Sequence, residues 1–269
     1  MADHSGGWDP IITPWHLDEH IPAFPIPANV TETICPTLPA GPAPGRMTLL
    51  HQAVADAVAR AAARPLLLSG DCPTALGVVA GLQRRYRDLA VVWLDAHGDF
   101  NTPAITTSGY LGGMPLAMLT GRAPELFCDA LGLRPVADTD VVLADARDLD
   151  PAERDALTVS QVRRVPADPA AIISALDGLG RTPVYLHLDV DVIDSAQLPG
   201  LRFPSGPGPS VTQIEECLAA VCAIADVRAA CIACAWLPDR ISDPTARETI
   251  TRLARALGAG LAWHEPAGR

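Results

Sequence analysis

The sequence has no apolar run close to the roughly 20 residues that a membrane-spanning helix needs. Its opening stretch, MADHSGGWDP, has neither a basic n-region nor an apolar h-region. The expectation is a soluble, unexported, cytoplasmic chain. Positive charge is scarce too: 20 Lys and Arg against 31 Asp and Glu leave a formal net charge of -11. No basic patch interrupts that balance, so neither nucleic acid nor an anionic membrane is an expected partner. Aromatic residues, 4% of the chain and dispersed, form no platform on which bases could stack. Seven cysteines, an odd number scattered through apolar segments, do not make a disulfide framework in a chain of this size, and reduced thiols are expected. Cys231 and Cys234 form a CxxC, but AACIACAW is continuously apolar, with no second CxxC and no nearby histidine, and reads as a core strand.

What is present suits a large core. With 269 residues and a 49% apolar fraction, one compact domain over residues 1–269 is expected. PLLLSG, LAVVWLDAHGD, DVVLADARD, TPVYLHLDVD and RAACIACAWLPD are short β-rich runs that end in polar or acidic residues. Helix-like segments lie between them near 47–63, 74–87, 151–158, 168–178, 211–225 and 243–257. Alternating β and α elements predict an α/β fold, a three-layer α/β/α arrangement around a mostly parallel sheet of about eight strands. PIITPW is expected to supply a first strand and GLAWHE a last one. The proline-rich stretch IPAFPIPANVTETICPTLPAGPAPG is expected to lie over the globule as coil.

In open parallel sheets ligands collect beyond the carboxyl ends of the strands, and there this sequence places its acids and imidazoles. One strand ends in Asp95-Ala-His97-Gly-Asp99, another in His187-Leu-Asp189-Val-Asp191-Val-Ile-Asp194. Alternate side chains of a strand share a face, so Asp95, His97 and Asp99 can converge, as can Asp189 and Asp191. Four carboxylates gathered without cations would repel one another, whereas divalent metals turn that repulsion into binding energy. Carboxylate-rich sites with one imidazole suit manganese better than zinc. A pair of Mn²⁺ ions lowers the pKa of bound water and predicts hydrolysis. LSGDCPTALG adds a thiol, Cys72, at another strand-to-helix turn.

These three segments, in order, resemble the motifs of the ureohydrolases, the family of arginase and agmatinase. LSGDCPTALG is similar to the family's Gly-Gly-Asp-His turn, WLDAHGDFNTP to its Asp-Ala-His-x-Asp segment, and HLDVDVID to its Asp-x-Asp-x-x-Asp signature. The resemblance covers the chain from about Arg46 onward. It implies an arginase-like fold, a dinuclear manganese site and cleavage of a guanidino compound. Asp95 and Asp191 would bridge two Mn²⁺ ions, Asp99 would ligate metal and orient the hydroxide, and His97 and Asp189 would belong to one ion's shell. Cys72 stands where the family has a histidine for the other ion, which is therefore expected to be loosely held. FNTPAITTSGYLGG resembles the arginase loop that grips an amino-acid substrate, so Asn101 and Ser108 would bind that part of it. A homo-oligomer would also be in keeping with the family.

Four positions depart from the pattern. Tyr110 and Gly112 replace an asparagine and a proton-shuttling histidine, Ala235 replaces a glutamate that pairs with the guanidinium, and Phe203 stands near a usual threonine. Arginine's guanidinium is permanently charged, whereas an N-hydroxyguanidine is far more acidic and needs less help from an acid or a shuttle. The expected substrate is Nω-hydroxy-L-arginine, giving L-ornithine and hydroxyurea, as in the branch of the family that serves D-cycloserine biosynthesis. The alternatives are another ureohydrolase, acting on arginine, agmatine or a guanidino acid, and a paralogue that binds without turnover. His187 is open between supporting the site and packing, and Asp194 is read as a supporting or structural acid. His16, His20 and His51 have no motif context and read as ordinary residues.

Overall fold

A computed structural model describes residues 7–180 and 182–263. The chain begins with β1 (Trp8–Thr13), a two-stranded hairpin of β2 (Trp15–His16) and β3 (Glu19–His20), and β4 (Glu32–Thr33). Then follow α1 (Ala43–Arg60), β5 (Arg64–Ser69), α2 (Thr74–Leu82), β6 (Ala90–Asp95), the short α3 (Pro115–Leu119) and α4 (Cys128–Leu131), and β7 (Val141–Asp145). The remaining elements are α5 (Pro151–Val159), β8 (Arg163–Val165), α6 (Pro169–Leu176), β9 (Val184–Asp189), α7 (Val211–Ile224), β10 (Val227–Ala233) and α8 (Pro244–Ala256).

Eight strands form one sheet in the order β4-β1-β5-β10-β9-β6-β7-β8, and every pairing in it is parallel. The order explains the layers. From β1 through β5, β6 and β7 to β8 the chain advances in one direction across the sheet, then returns through β9 and β10. Parallel crossovers are right-handed, so reversing the direction moves the helices to the opposite face. Residues of α1 to α5 accordingly join one buried cluster, with Val91, Trp93 and Tyr185, and those of α6 to α8 join the other, with Val92, Leu186 and Ile232. Because both faces are covered, β6 and β9 are buried at every position rather than alternating.

Two glycines of α2 set its distance from α1. A Cβ on Gly77 would lie 2.7 Å from Val54 Cβ, and one on Gly81 would lie 2.8 Å from Val58 Cβ. The two helices therefore close along a small-residue stripe one turn long, and the Cys72 turn at the start of α2 is fixed to the body of the fold.

The strand expected at GLAWHE is not found. Gly260–Trp263 are coil, and His264 and Glu265 lie outside the described residues. The amide of Asn29 bonds Gly260 O and its carbonyl accepts from Ala262 N, so this stretch pairs with the proline-rich coil instead of the sheet. The sheet instead gains β4 and β8, and β4 arises within that same coil. Elsewhere the coil packs as expected, with Ile21 and Phe24 buried. Cys231 and Cys234 are unpaired and buried in and just beyond β10.

Candidate metal centre

The turn between β5 and α2, and the ends of β6 and β9, meet on the carboxyl edge of the sheet. In β6, Asp95 follows Trp93 on the face toward α2, and in β9 Asp189 follows His187 on the same face. Trp93 and His187, opposite one another in register, stack with ring centroids 3.6 Å apart. This buried aromatic floor is polar at its edges: Trp93 Nε1 donates to Asp95 Oδ2 at 3.1 Å, and the Tyr185 hydroxyl lies 2.8 Å from His187 Nδ1. His187 is thus wholly buried beneath the acids, its pKa pushed down to about 3 by burial.

The acids and their partners fall into two groups that share Asp95. Ligand atoms of Asp95, His97 and Asp191 all lie within 4.8 Å of one another, and so do those of Cys72, Asp95 and Asp99. In the first group, His97 Nδ1 is 3.1 Å from Asp191 Oδ2 and 3.5 Å from Asp95 Oδ1. Burial works against an imidazolium there, but the Asp191 and Asp95 carboxylates outweigh it and push the His97 pKa up to about 12. Asp191 is pushed up to about 7, by burial and then by Asp95. In the second group no cation is present. Burial, then Asp95 and Asp189, hold the Asp99 carboxyl well above the usual carboxylate range. Its Oδ2 is buried with no hydrogen-bond partner among the described residues. The Cys72 thiol is raised by burial and then by Asp189, and its Sγ donates to Asp189 Oδ2 at 2.9 Å.

Local structure accounts for these placements. Asp191 N and Ala96 N donate to Asp189 Oδ1 and Asp191 Oδ1, so the turns after β9 and β6 brace each other. Asp99 takes a left-handed φ of 49°, a region costly for a non-glycine residue. Glu153, buried at the start of α5, holds it there: it accepts from Phe100 N at 2.8 Å and from Asp150 N at 3.3 Å, the second bond completing a capping box. Asp71 has no role in either group. Its carboxylate accepts from Leu17 N and from the Thr74 amide and hydroxyl, which ties the β2–β3 turn to α2, and burial pushes its pKa up to about 6.

Both groups lie at a cavity of about 380 Å³ that the two expected substrate residues also line. Asn101 is buried, with its amide nitrogen 3.3 Å from Asp150 Oδ2 and its Oδ1 unpartnered. Ser108 is exposed, and its Oγ accepts from Tyr110 N at 3.2 Å. All six expected metal-site residues, Cys72, Asp95, His97, Asp99, Asp189 and Asp191, are therefore brought together. Asp189, however, stands against the thiol rather than in the His97 group. Asp194 is half-buried and accepts from Ala196 N in the following turn. One wall residue had no motif to mark it. His16, delivered by the hairpin, lines the cavity and meets Tyr110.

Metal chemistry fits these residues: an unpartnered buried carboxylate oxygen, three further buried acids and a buried thiol with one imidazole make an oxygen-rich donor set for divalent cations. Comparison with known proteins agrees on the lineage. A family model described as the arginase family matches residues 27–234. The chain belongs to the arginase family. An N(omega)-hydroxy-L-arginine amidinohydrolase from Streptomyces lavendulae is 34% identical over 146 residues, 54% of this chain and 52% of that protein. An arginase from Staphylococcus aureus is 35% identical over 146 residues, 51% of this chain and 48% of that protein. The chain thus spans about half the length of the curated relatives it matches. In three dimensions, an arginase crystal structure from Bacillus cereus superposes with a TM-score of 0.80 over 97% of this chain and 100% of that one, at 22% identity, which shows the arginase fold.

Proposed function

We propose that the protein is an amidinohydrolase that cleaves the hydroxyguanidino group of Nω-hydroxy-L-arginine to L-ornithine and hydroxyurea, with the chain acting as one ureohydrolase domain. The observation that carries this reading is the pair of acid groups sharing Asp95 at a cavity whose wall at Tyr110, Phe203 and Ala235 is uncharged. Two Mn²⁺ ions held by Cys72, Asp95, His97, Asp99, Asp189 and Asp191 would supply a water nucleophile ionised at neutral pH and positive charge where the reacting carbon becomes tetrahedral. Asp95, common to both groups, would help to hold both ions, and Asp191 would join it on the His97 side. Asp99, with its free Oδ2, would orient that water and carry a proton toward the departing ornithine nitrogen. Asn101, through its unpartnered Oδ1, and Ser108 at the cavity mouth would hold the α-amino acid end of the substrate.

The uncharged wall favours N-hydroxyguanidine over guanidinium. A permanent cation brought against Tyr110, Phe203 and Ala235 would lose water without gaining a counter-ion there. Of the other acids at the cavity, Asp71 and Glu153 are engaged by backbone and side-chain donors, Asp150 accepts from the Asn101 amide and Asp148 from the Ser205 hydroxyl. The second reading, an arginase, is favoured by the comparable 35% match to the Staphylococcus aureus arginase. Release of hydroxyurea or urea from Nω-hydroxy-L-arginine, L-arginine and agmatine with added Mn²⁺ separates the two. Preference for the hydroxylated substrate is expected. A strong preference for arginine overturns the substrate assignment but leaves the ureohydrolase chemistry, and no turnover of any of the three overturns both.

A further inference from the structure

His16 and Tyr110 lie 94 residues apart in sequence and make a hydrogen bond on the cavity wall, with the Tyr110 hydroxyl 3.2 Å from His16 Nε2. The imidazole is 7% exposed, and its Nδ1 faces the Gly70 carbonyl at 3.4 Å. A carbonyl only accepts, so Nδ1 carries the proton, Nε2 is left as an acceptor, and the phenol must donate to it. Burial, followed by Arg202, lowers the His16 pKa and keeps the ring neutral. With its one proton committed to His16, the phenol oxygen has only lone pairs to offer the cavity.

The ring is also sterically set. A Cβ on residue 112 would lie 2.2 Å from Tyr110 Cε1 and 2.4 Å from its hydroxyl oxygen, so only glycine there leaves room for the phenol. Phe203 packs against the ring at a centroid distance of 5.0 Å, and His16 lies nearly parallel to it at 6.0 Å. Glycine, histidine and phenylalanine from three separate segments thus fix one aromatic side chain in one orientation beside Cys72 and Asp99, which line the same cavity.

We propose that Tyr110, held by His16 and seated over Gly112, is the specificity-determining residue of the site, its hydroxyl oxygen accepting a hydrogen bond from a neutral N-hydroxyguanidine head. The assignment rests on the amidinohydrolase reading. The phenol lone pair gives the N-hydroxyguanidine head a hydrogen bond, while the uncharged wall gives a permanent cation no counter-charge to offset its lost water. His16 is a positioning residue that acts by taking the phenol proton.

The test uses the Mn²⁺-loaded full chain and Tyr110→Phe, which keeps the ring over Gly112 and removes only the hydroxyl. Turnover of Nω-hydroxy-L-arginine should fall about tenfold or more in kcat/KM, with turnover of L-arginine changed by less than about threefold. His16→Phe, which keeps a buried ring without Nε2, should shift the same ratio in the same direction. Equal losses on both substrates, or a loss below about twofold on the hydroxylated one, overturn the proposal while leaving the amidinohydrolase reading intact. A wild-type chain inert toward both substrates overturns that reading, and binding then decides the role of Tyr110. The chain has three tyrosines; Tyr185 is fully buried and Tyr86 follows the far end of α2. A tyrosine difference spectrum on adding Nω-hydroxy-L-arginine, lost in Tyr110→Phe, supports the assignment, and no spectral change in the wild type overturns it.

Discussion

The two halves of the candidate metal centre share Asp95 and differ in what balances its charge. On the His97 side an imidazolium already sits between Asp95 and Asp191, so those carboxylates are partnered before any metal arrives. On the Cys72 side the thiol is protonated, Asp189 takes its proton as a hydrogen bond, and Asp99 has an oxygen with no partner among the described residues. The same acid therefore belongs to one group that must lose a proton to bind a cation and to another that has repulsion to relieve. Ligand type works the other way. Imidazole and carboxylates suit Mn²⁺, whereas Cys72 offers a soft ligand that must itself deprotonate from a raised pKa. The expected result is a firmly held ion on the His97 side and a loosely held one on the Cys72 side.

The most severe way to break the asymmetry is to remove the unpartnered carboxylate. Asp99→Asn should lower hydroxyurea formation by about 10²- to 10⁴-fold, measured under saturating Mn²⁺, because proton handling fails even where metal remains. A change below tenfold would assign Asp99 to structure alone. Cys72→His should erase the difference between the halves. Manganese affinity on that side should rise by about ten- to a hundredfold, the scale on which changes around a site alter metal affinity. Elemental analysis after gel filtration should then find nearly two ions per chain, against nearly one in the wild type.

A third test concerns protons. In the metal-free protein the folded-state pKa of His97 lies above its ordinary value of 6.5, at about 12. Its ion pairing thus stabilises the fold fully below about pH 6.5 and is lost as pH rises toward 12. Metal requires the neutral ring, so Mn²⁺ binding on this side should release a proton and strengthen by up to about tenfold per pH unit between pH 7 and 9. Calorimetry in buffers of different ionisation enthalpy measures that release, and an affinity independent of pH would contradict it. The smallest effect is expected away from the ligands. Glu153→Gln weakens the bonds to Phe100 N and Asp150 N and should cost about 1–2 kcal/mol in urea unfolding, with a smaller loss of metal on the Asp99 side than Asp99→Asn produces.

Much of this centre was legible in the sequence because it is written into strand ends. DAHGD and HLDVD each place acids two residues apart at the close of an apolar run, and parallel strands bring such ends to one edge. The parallel sheet was legible for the same reason, from runs too uniformly apolar to have a wet face. What escaped is non-local. His16 reaches the cavity because a hairpin folds back from β1, and its partner Tyr110 is seated only because residue 112 lacks a side chain, a combination without periodicity. β4 and β8, of two and three residues, are too short to carry a pattern. GLAWHE reads as strand from its own residues, but the Asn29 side chain satisfies its backbone first.

The last strand to be synthesised, β10, lies between β5 and β9 in the sheet, so the Cys72 turn and the Asp189 tip face each other across its end. Until β10 inserts, the Cys72 turn after β5 has no scaffold in common with the acids at the paired β6 and β9 ends. Capture of an ion on the Cys72 side can therefore begin only after β10 has joined β5 to β9, whereas the His97 side needs only the β6–β9 pair. Uptake of that second ion, followed in real time, would time the completion of the molecule rather than its collapse.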